Sequence, residues 1–312
     1  VADSPAAATA LDSAPARQAG IGVLMAFLAY ATYALSDASI KLLHGTLDPF
    51  EIMFISAALG TLAIPALMQE TDGWRDLFRS RRRMLWLMRA AAAATGSLGS
   101  IVAFTRLSMA EAFAIIFLLP ALVTVLSVIF LGEKIGWRRW SAVAMGFAGV
   151  LVVLRPGFRE LGIGHLAAFL SGMSGAVTIV ILRALGGGEK RISLYGAGLA
   201  GPLLVSFAMM LPHFTVPDRR QWLWLASCGL MGTCGNVMIQ LASRNAPASR
   251  VAPIQYSQML WAILLGFLVF HDRPDGWMYL GAGIIVASGL FTFSREKKKT
   301  RWWRTTPPVH PQ

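Results

Sequence analysis

The sequence predicts an all-α membrane protein, with ten transmembrane helices arranged as two inverted five-helix repeats. Three observations carry that prediction. The apolar residues fall in blocks of about 20, the length a helix needs to cross roughly 30 Å of hydrocarbon at 1.5 Å per residue. Charge is scarce: of 312 residues, 14% are charged and 55% hydrophobic, with a mean hydropathy of +0.58. Features of the first half also return in the second about 140 residues later. A soluble domain carries roughly 25% charged residues, and a disordered chain lacks apolar ones, so both classes are excluded.

The elements follow in order. Residues 1–18 are rich in Ala, Ser and Pro and are expected to be disordered; they lack the charged start and apolar middle of a secretory signal. The first block, 21–43, carries Tyr30, Tyr33, Asp37 and Lys41. The second is 50–69. The third, 84–107, opens with Leu85-Trp86-Leu87, holds Arg89, and contains Gly96-Ser97-Leu98-Gly99-Ser100, a small-residue run suited to close helix approach. The fourth, 111–131, includes Phe117 and Pro120 and runs into Gly132-Glu133-Lys134. The fifth is 137–154 and the sixth 163–185, with a second small-residue run, Ser171-Gly172-Met173-Ser174-Gly175. The seventh is 193–212. The eighth, 222–242, contains Asn236, Gln240 and both cysteines. Cys228 and Cys234 lie about 9 Å apart along one helix, beyond the roughly 7 Å that a disulfide spans, and read as small core residues. The ninth block, 251–270, holds Gln255, Tyr256, Ser257, Gln258 and Trp261; the tenth, 276–293, precedes a basic tail at 295–312.

Orientation follows from the distribution of Lys and Arg. With the N-terminus inside, twenty of the 28 basic residues fall in inner segments and six in outer ones, with Lys41 and Arg89 inside crossings. Both termini are therefore expected in the cytoplasm, in the cytoplasmic (inner) membrane of the cell. The formal charge of +12 is accounted for as a topology signal beside the lipid bilayer, with no nucleic-acid partner.

The repeat is ordered along the whole chain. Residues 20–28 recur as 162–170, Leu85-Trp86-Leu87 as Leu223-Trp224-Leu225, and Gly136-Trp137 as Gly276-Trp277. Ala148-Gly149 is echoed by Ser288-Gly289, and Lys41 falls on Arg183. The halves are 19–155 and 156–294. Each has five crossings, an odd number, so the second enters the membrane in the opposite sense. Inverted halves that exchange conformations suit alternating access to a central site.

Several segments carry a family resemblance. They are residues 33–41 (Tyr-Ala-Leu-Ser-Asp-Ala-Ser-Ile-Lys), Pro120, Leu131-Gly132-Glu133-Lys134, residues 253–258 (Pro-Ile-Gln-Tyr-Ser-Gln) and Ala287-Ser288-Gly289. In that order the chain from Gly20 to Phe293 resembles the drug/metabolite transporter superfamily, in its ten-helix EamA-type branch. The resemblance implies a carrier that moves metabolites, amino acids, nucleotide-sugars or drugs without ATP. The Tyr256-Ser257-Gln258 run is similar to that of bacterial riboflavin and S-adenosylmethionine carriers.

Ionisable and amide groups inside the crossings are the candidate functional residues, because each is costly in hydrocarbon unless it faces a cavity or a partner. Asp37 is one turn from Lys41, so two accounts compete: a local ion pair, or a carboxyl that titrates or binds a cationic group during transport. Its repeat counterpart is Ile179, which makes the acid specific to the first half. Arg89, opposite Ser227 in the repeat, either snorkels to the surface or binds an anion. Asp37, Lys41 and Arg89 are the candidates for coupling or gating, and a direct Asp37–Arg89 pair is excluded by a depth difference of about 15 Å. Tyr256, Gln258, Gln255 and Trp261, with Phe117 on the fourth helix, fit a wall that stacks on a planar or amphipathic organic solute and orients it by hydrogen bonds. Tyr33, Asn236 and Gln240 are further candidates for binding. Expected partners are a small organic solute and a proton or sodium ion for coupling. No Cys/His spacing suits a metal, and no cofactor is expected.

Two other functions compete with a carrier. Gly172-Met173-Ser174-Gly175 resembles the Gly-x-Ser-Gly of rhomboid-type intramembrane serine hydrolases, but His213 and His271 are expected at helix ends far from Ser174. No Walker A or His-Glu-x-x-His sequence is present, so neither ATP-driven pumping nor metalloprotease chemistry is expected. A solute channel is the remaining alternative, and it requires a continuous pore.

Overall fold

In hydrocarbon every backbone amide must find its bond inside its own segment, so each apolar block becomes a helix. The structure, a computed structural model, describes residues 5–155, 160–185, 189–246 and 248–303. Of the sequence expectations, those for residues 1–4, Arg159 and residues 304–312 lie outside the described residues.

Nine helices among the described residues are long and apolar enough to cross a membrane. They are Gly20–Leu42, Pro49–Leu67, Arg83–Arg106, Met109–Leu131, Trp137–Leu154, Ile163–Leu185, Arg191–His213, Arg219–Ala242 and Pro253–Phe270. A shorter apolar helix, Gly276–Phe291, is the tenth. The first helix extends back to Pro5 and the tenth forward to Trp303. The upstream extension covers Ala/Ser/Pro-rich sequence from which no regular structure is expected; it is dense in alanine, the strongest helix former.

Packing between the halves is two-fold related. The first helix packs chiefly on the eighth and the third on the sixth; the second meets the seventh, and the fifth meets the tenth. Exchanging the halves converts the first–eighth pair into the sixth–third pair and returns the other two pairs onto themselves. Five crossings per half then make the two halves run in opposite senses. Large apolar side chains such as Leu62, Met84, Phe130, Trp137 and Leu204 are exposed on the outside of the bundle, where lipid tails cover them.

Small residues set the closest approaches. The carbonyl oxygen of Ala167 lies 2.6 Å from where a side chain on Gly99 would begin, and Ser174 Cβ lies 3.1 Å from the same point on Gly96. The third and sixth helices meet there. Cys228 is buried as expected. Cys234, expected in the core, is exposed: its position on the eighth helix faces out of the bundle.

Prolines mark four helices, and the fourth and ninth are broken in matching places. A proline lacks the amide its turn needs, so the helix bends or breaks. The fourth helix is divided into Met109–Ile116 and Leu119–Leu131, ahead of Pro120. Its counterpart, the ninth, enters through a 3₁₀ turn at Ala252–Tyr256 before Ser257–Phe270. The second helix contains a 3₁₀ turn at Thr61–Ala63 before Pro65, and the seventh has Pro202 in its interior.

Each end of the bundle is tied by a repeat-related latch. The fourth helix ends on Gly132 in the left-handed conformation (φ 66), and Glu133 N–H returns to Ser127 O at 3.3 Å. The ninth ends on His271, also left-handed (φ 54), and Asp272 N–H returns to Gly266 O at 2.9 Å. These caps aim an acid at the first helix of the other half: Lys41 Nζ meets Asp272 Oδ2 at 2.7 Å, and Arg183 Nη1 meets Glu133 Oε1 at 3.6 Å. The expected Asp37–Lys41 pair is therefore not made. Lys41 pairs across the halves with Asp272, and also sits 4.5 Å over the Phe270 ring.

The end that carries the Arg-rich connection, the basic end, has a further clamp. Glu189 Oε1 accepts from Ser80 Oγ (3.0 Å) and Arg81 N–H (2.8 Å), and Lys190 Nζ pairs with Asp76 (2.6 Å) and Asp72 (3.3 Å). The Gly73 N–H and Lys190 hold the Asp76 carboxyl below the usual carboxylate range, and the hydrogen bond to Asp76 raises Lys190. At the opposite end, Arg155 pairs with Asp275, Thr215 Oγ1 donates to Glu51 Oε2 (3.2 Å), and His165 meets Glu111 (3.2 Å).

Candidate functional site

A cavity of about 350 Å³ lies between the first, second, third, seventh and eighth helices. Its wall combines apolar residues (Ile40, Met53, Ile101, Leu199) with small polar ones (Ser36, Ser56, Ser97, Ser100, Cys228, Thr233). Arg89, Tyr195 and Asn236 supply the larger polar groups. The third helix shows how the sequence builds this: Gly96 and Gly99 face the sixth helix, while Ser97 and Ser100 line the cavity.

Arg89 is held by backbone. Its Nε donates to Leu194 O on the seventh helix at 2.8 Å, and Nη1 is buried without a hydrogen-bond partner. The seventh helix can come this close because it has glycine at the contacts. Gly201 lies directly against the Ala90 backbone and Gly196 against Leu77, and a side chain on Gly198 would begin 3.5 Å from Arg89 Nη2. Pro202 has no amide for the Gly198 carbonyl, which leaves that oxygen without its helical donor at the cavity wall. The guanidinium is thus tied laterally to the seventh helix.

The other predicted residues form two separate groups. Tyr33 Oη donates to Asn236 Oδ1 at 2.9 Å, one bond behind the cavity wall. Gln258 Nε2 donates to Asp37 Oδ2 at 3.4 Å, and Trp261 packs at a tilt against Phe27 of the first helix with ring centroids 5.4 Å apart. Gln258 and Trp261 thus share a face, toward the first helix. Tyr256 points elsewhere. It packs on Phe117, with centroids 5.6 Å apart, and its phenol lies directly against Gly289 of the tenth helix. Phe117 and Tyr256 sit at the matching breaks of the fourth and ninth helices, and the space beside them is about 20 Å³, far smaller than the main cavity. Gln240 and Gln255 are half-buried, each without a side-chain hydrogen-bond partner among the described residues.

So Arg89 and Asn236 line the main cavity; Tyr33 supports it; Asp37 and Gln258 pair beside it; Phe117 and Tyr256 pack together apart from it; and Lys41 belongs to a latch. Ser36, Ser56, Tyr195, Cys228 and Thr233 were missed. Pro202, a helix breaker inside an apolar block, is a sequence signal that could have pointed to that wall. Ser174 packs against Gly96 of the third helix, and no hydrogen bond joins it to a histidine among the described residues. No group of three His, Cys, Asp or Glu side chains suited to a metal occurs among the described residues.

The sequence profile of the EamA-like transporter family matches residues 20–155 and again 162–294. A pseudopaline exporter of Pseudomonas aeruginosa, CntI, is 27% identical over 279 residues, covering 89% of this chain and 97% of its own. A riboflavin transporter of Rhizobium johnstonii is 27% identical over 217 residues (69% and 72%). An S-adenosylmethionine uptake transporter of Rickettsia prowazekii is 22% identical over 277 residues (89% and 94%). A solved protein crystal structure superposes with a TM-score of 0.61 at 19% identity, covering 91% of this chain and 98% of its own, a likeness of fold. Matched in both of its halves, the chain belongs to the EamA-like transporter family of the drug/metabolite transporter superfamily, and it is a multi-pass membrane transporter, not an enzyme.

Proposed function

We propose that this transporter is a secondary carrier of the cytoplasmic membrane that moves a small organic solute by alternating access. Its basic end and both termini face the cytoplasm, in keeping with the Lys/Arg bias of the connections. The repeats are 19–155 and 156–294, preceded by the segment 1–18 and followed by the cytoplasmic tail 295–312. The observation that carries this reading is a cavity walled by helices of both halves, with a matched cation–carboxylate latch at each end of the bundle. A channel needs no such pair of closures.

The cavity wall around Arg89 and Asn236 receives the solute. Phe117, Tyr256, Gln255, Gln240 and Trp261 flank its path as the first and ninth helices move, with Tyr33 orienting Asn236. Asp37 with Gln258 is the coupling group, for a proton or sodium ion. Flavins, S-adenosylmethionine, amino acids and drug-like solutes are the candidates, the first two because relatives carry them by name.

Purified protein in proteoliposomes tests the reading. Saturable flux of riboflavin, S-adenosylmethionine, an amino acid or a quaternary amine is expected without ATP. Flux that rises linearly with concentration and never saturates would establish the channel instead.

A further inference from the structure

We infer that the central cavity binds its solute by a carboxylate group, held by Arg89. The inference rests on the carrier reading and narrows its substrate class. Arg89 is the one formally charged side chain on the cavity wall, and no carboxylate shares that wall among the described residues. A buried cation without a counter-ion is costly, as is a buried N–H without an acceptor. Arg89 is half-buried within a membrane crossing, and both costs bear on it. Its Nε is satisfied by Leu194 O, its Nη1 is buried and unpartnered, and no ion pair reaches it among the described residues. A carboxylate supplies the missing acceptor and the missing charge together, and the planar guanidinium fork matches its two oxygens.

The surroundings fix the class more closely. One cation with no second Lys or Arg on the wall balances a monoanion, and a phosphate dianion would lack a partner for its second charge. The rest of the wall is neutral. Ser97, Ser100 and Thr233 offer hydroxyls and Asn236 an amide, while Met53 and Leu199 offer apolar surface. Gly198 keeps the approach to Nη2 clear. The solute is thus a small amphipathic molecule with one carboxylate at the Arg89 end and a body that fits about 350 Å³.

The test is ¹⁹F NMR titration of the full-length protein in nanodiscs. The probes are 4-fluorobenzoate and 4-fluorophenylacetate, each beside its neutral amide, together with 4-fluorophenyl phosphate. Both acids are expected to bind the wild type, and Arg89→Gln weakens them by about tenfold or more. Arg89→Lys, which keeps the charge but loses the fork, weakens them several-fold while the amides do not respond to either change. Should Arg89→Gln not fold, Arg89→Lys carries the comparison, with the unliganded melting temperature as control. Equal binding of acids to wild type and variants, amides that match acids, preference for the phosphate, or no binding of either acid would each overturn the inference. Flux in proteoliposomes separates the two levels. Arg89-dependent acid binding without saturable flux defeats the carrier and leaves the site, whereas saturable flux indifferent to Arg89 defeats the site and leaves the carrier.

Discussion

At the residue scale, Asp37 is the position where sequence spacing and structure part. Its distance of one helical turn from Lys41 permits a local pair, but Lys41 reaches Asp272 of the other half at 2.7 Å, a partner that no local spacing reveals. Asp37 is left with the Gln258 amide and with no cation in pairing distance among the described residues. A carboxyl in a membrane span with only a neutral donor is a natural place for a proton or a cation to bind. Asp37→Asn keeps the size and the hydrogen bond but cannot titrate. Flux measured against pH is therefore expected to vary in the wild type and to become flat in Asp37→Asn. An unchanged pH profile would remove Asp37 from coupling.

At the scale of the element, the broken helices explain motifs that seem weak in the sequence. Gly132 ends the fourth helix in the left-handed conformation that glycine adopts at no steric cost, and its counterpart His271 adopts the same cap with a side chain. Gly289 is required because the Tyr256 phenol occupies the space where any side chain would begin. The ten helices were legible because length and apolarity are local properties, and the repeat because it is written twice. Much of the cavity was not legible: Ser36, Ser56 and Thr233 resemble ordinary small packing residues until five helices bring one face of each together. Gly289→Ala forces Tyr256 off the tenth helix, and overpacking of this kind costs about 1–3 kcal/mol. It is expected to lower the melting temperature by several degrees in the wild-type background. In a Tyr256→Ala background the same substitution should cost almost nothing, because the clashing ring is gone. Additive losses in this double-mutant cycle would refute the contact.

At the scale of the whole molecule, the two latches give the inverted repeat a direction. The Lys41–Asp272 pair is short, with side chains 16% and 24% exposed; the Arg183–Glu133 pair is longer, at 3.6 Å, with side chains 39% and 36% exposed. The tighter latch is at the end away from the Arg-rich connection, and Arg89, Tyr195 and Asn236 lie in the part of the cavity nearer the basic end. If the halves exchange conformations, loosening one latch favours opening at that end and loosening the other does the reverse. An ion pair worth about 1 kcal/mol changes a two-state ratio by about fivefold. The measurement is labelling of Asn236→Cys, with Cys228→Ala and Cys234→Ala, by a membrane-impermeant maleimide in right-side-out and inside-out vesicles. The starting protein is expected to label from the basic side. Asp272→Asn should raise labelling from the opposite side several-fold, and Glu133→Gln should raise it from the basic side. Identical shifts in the two variants, or none in either, would mean that the latches hold the fold together without governing which side is open.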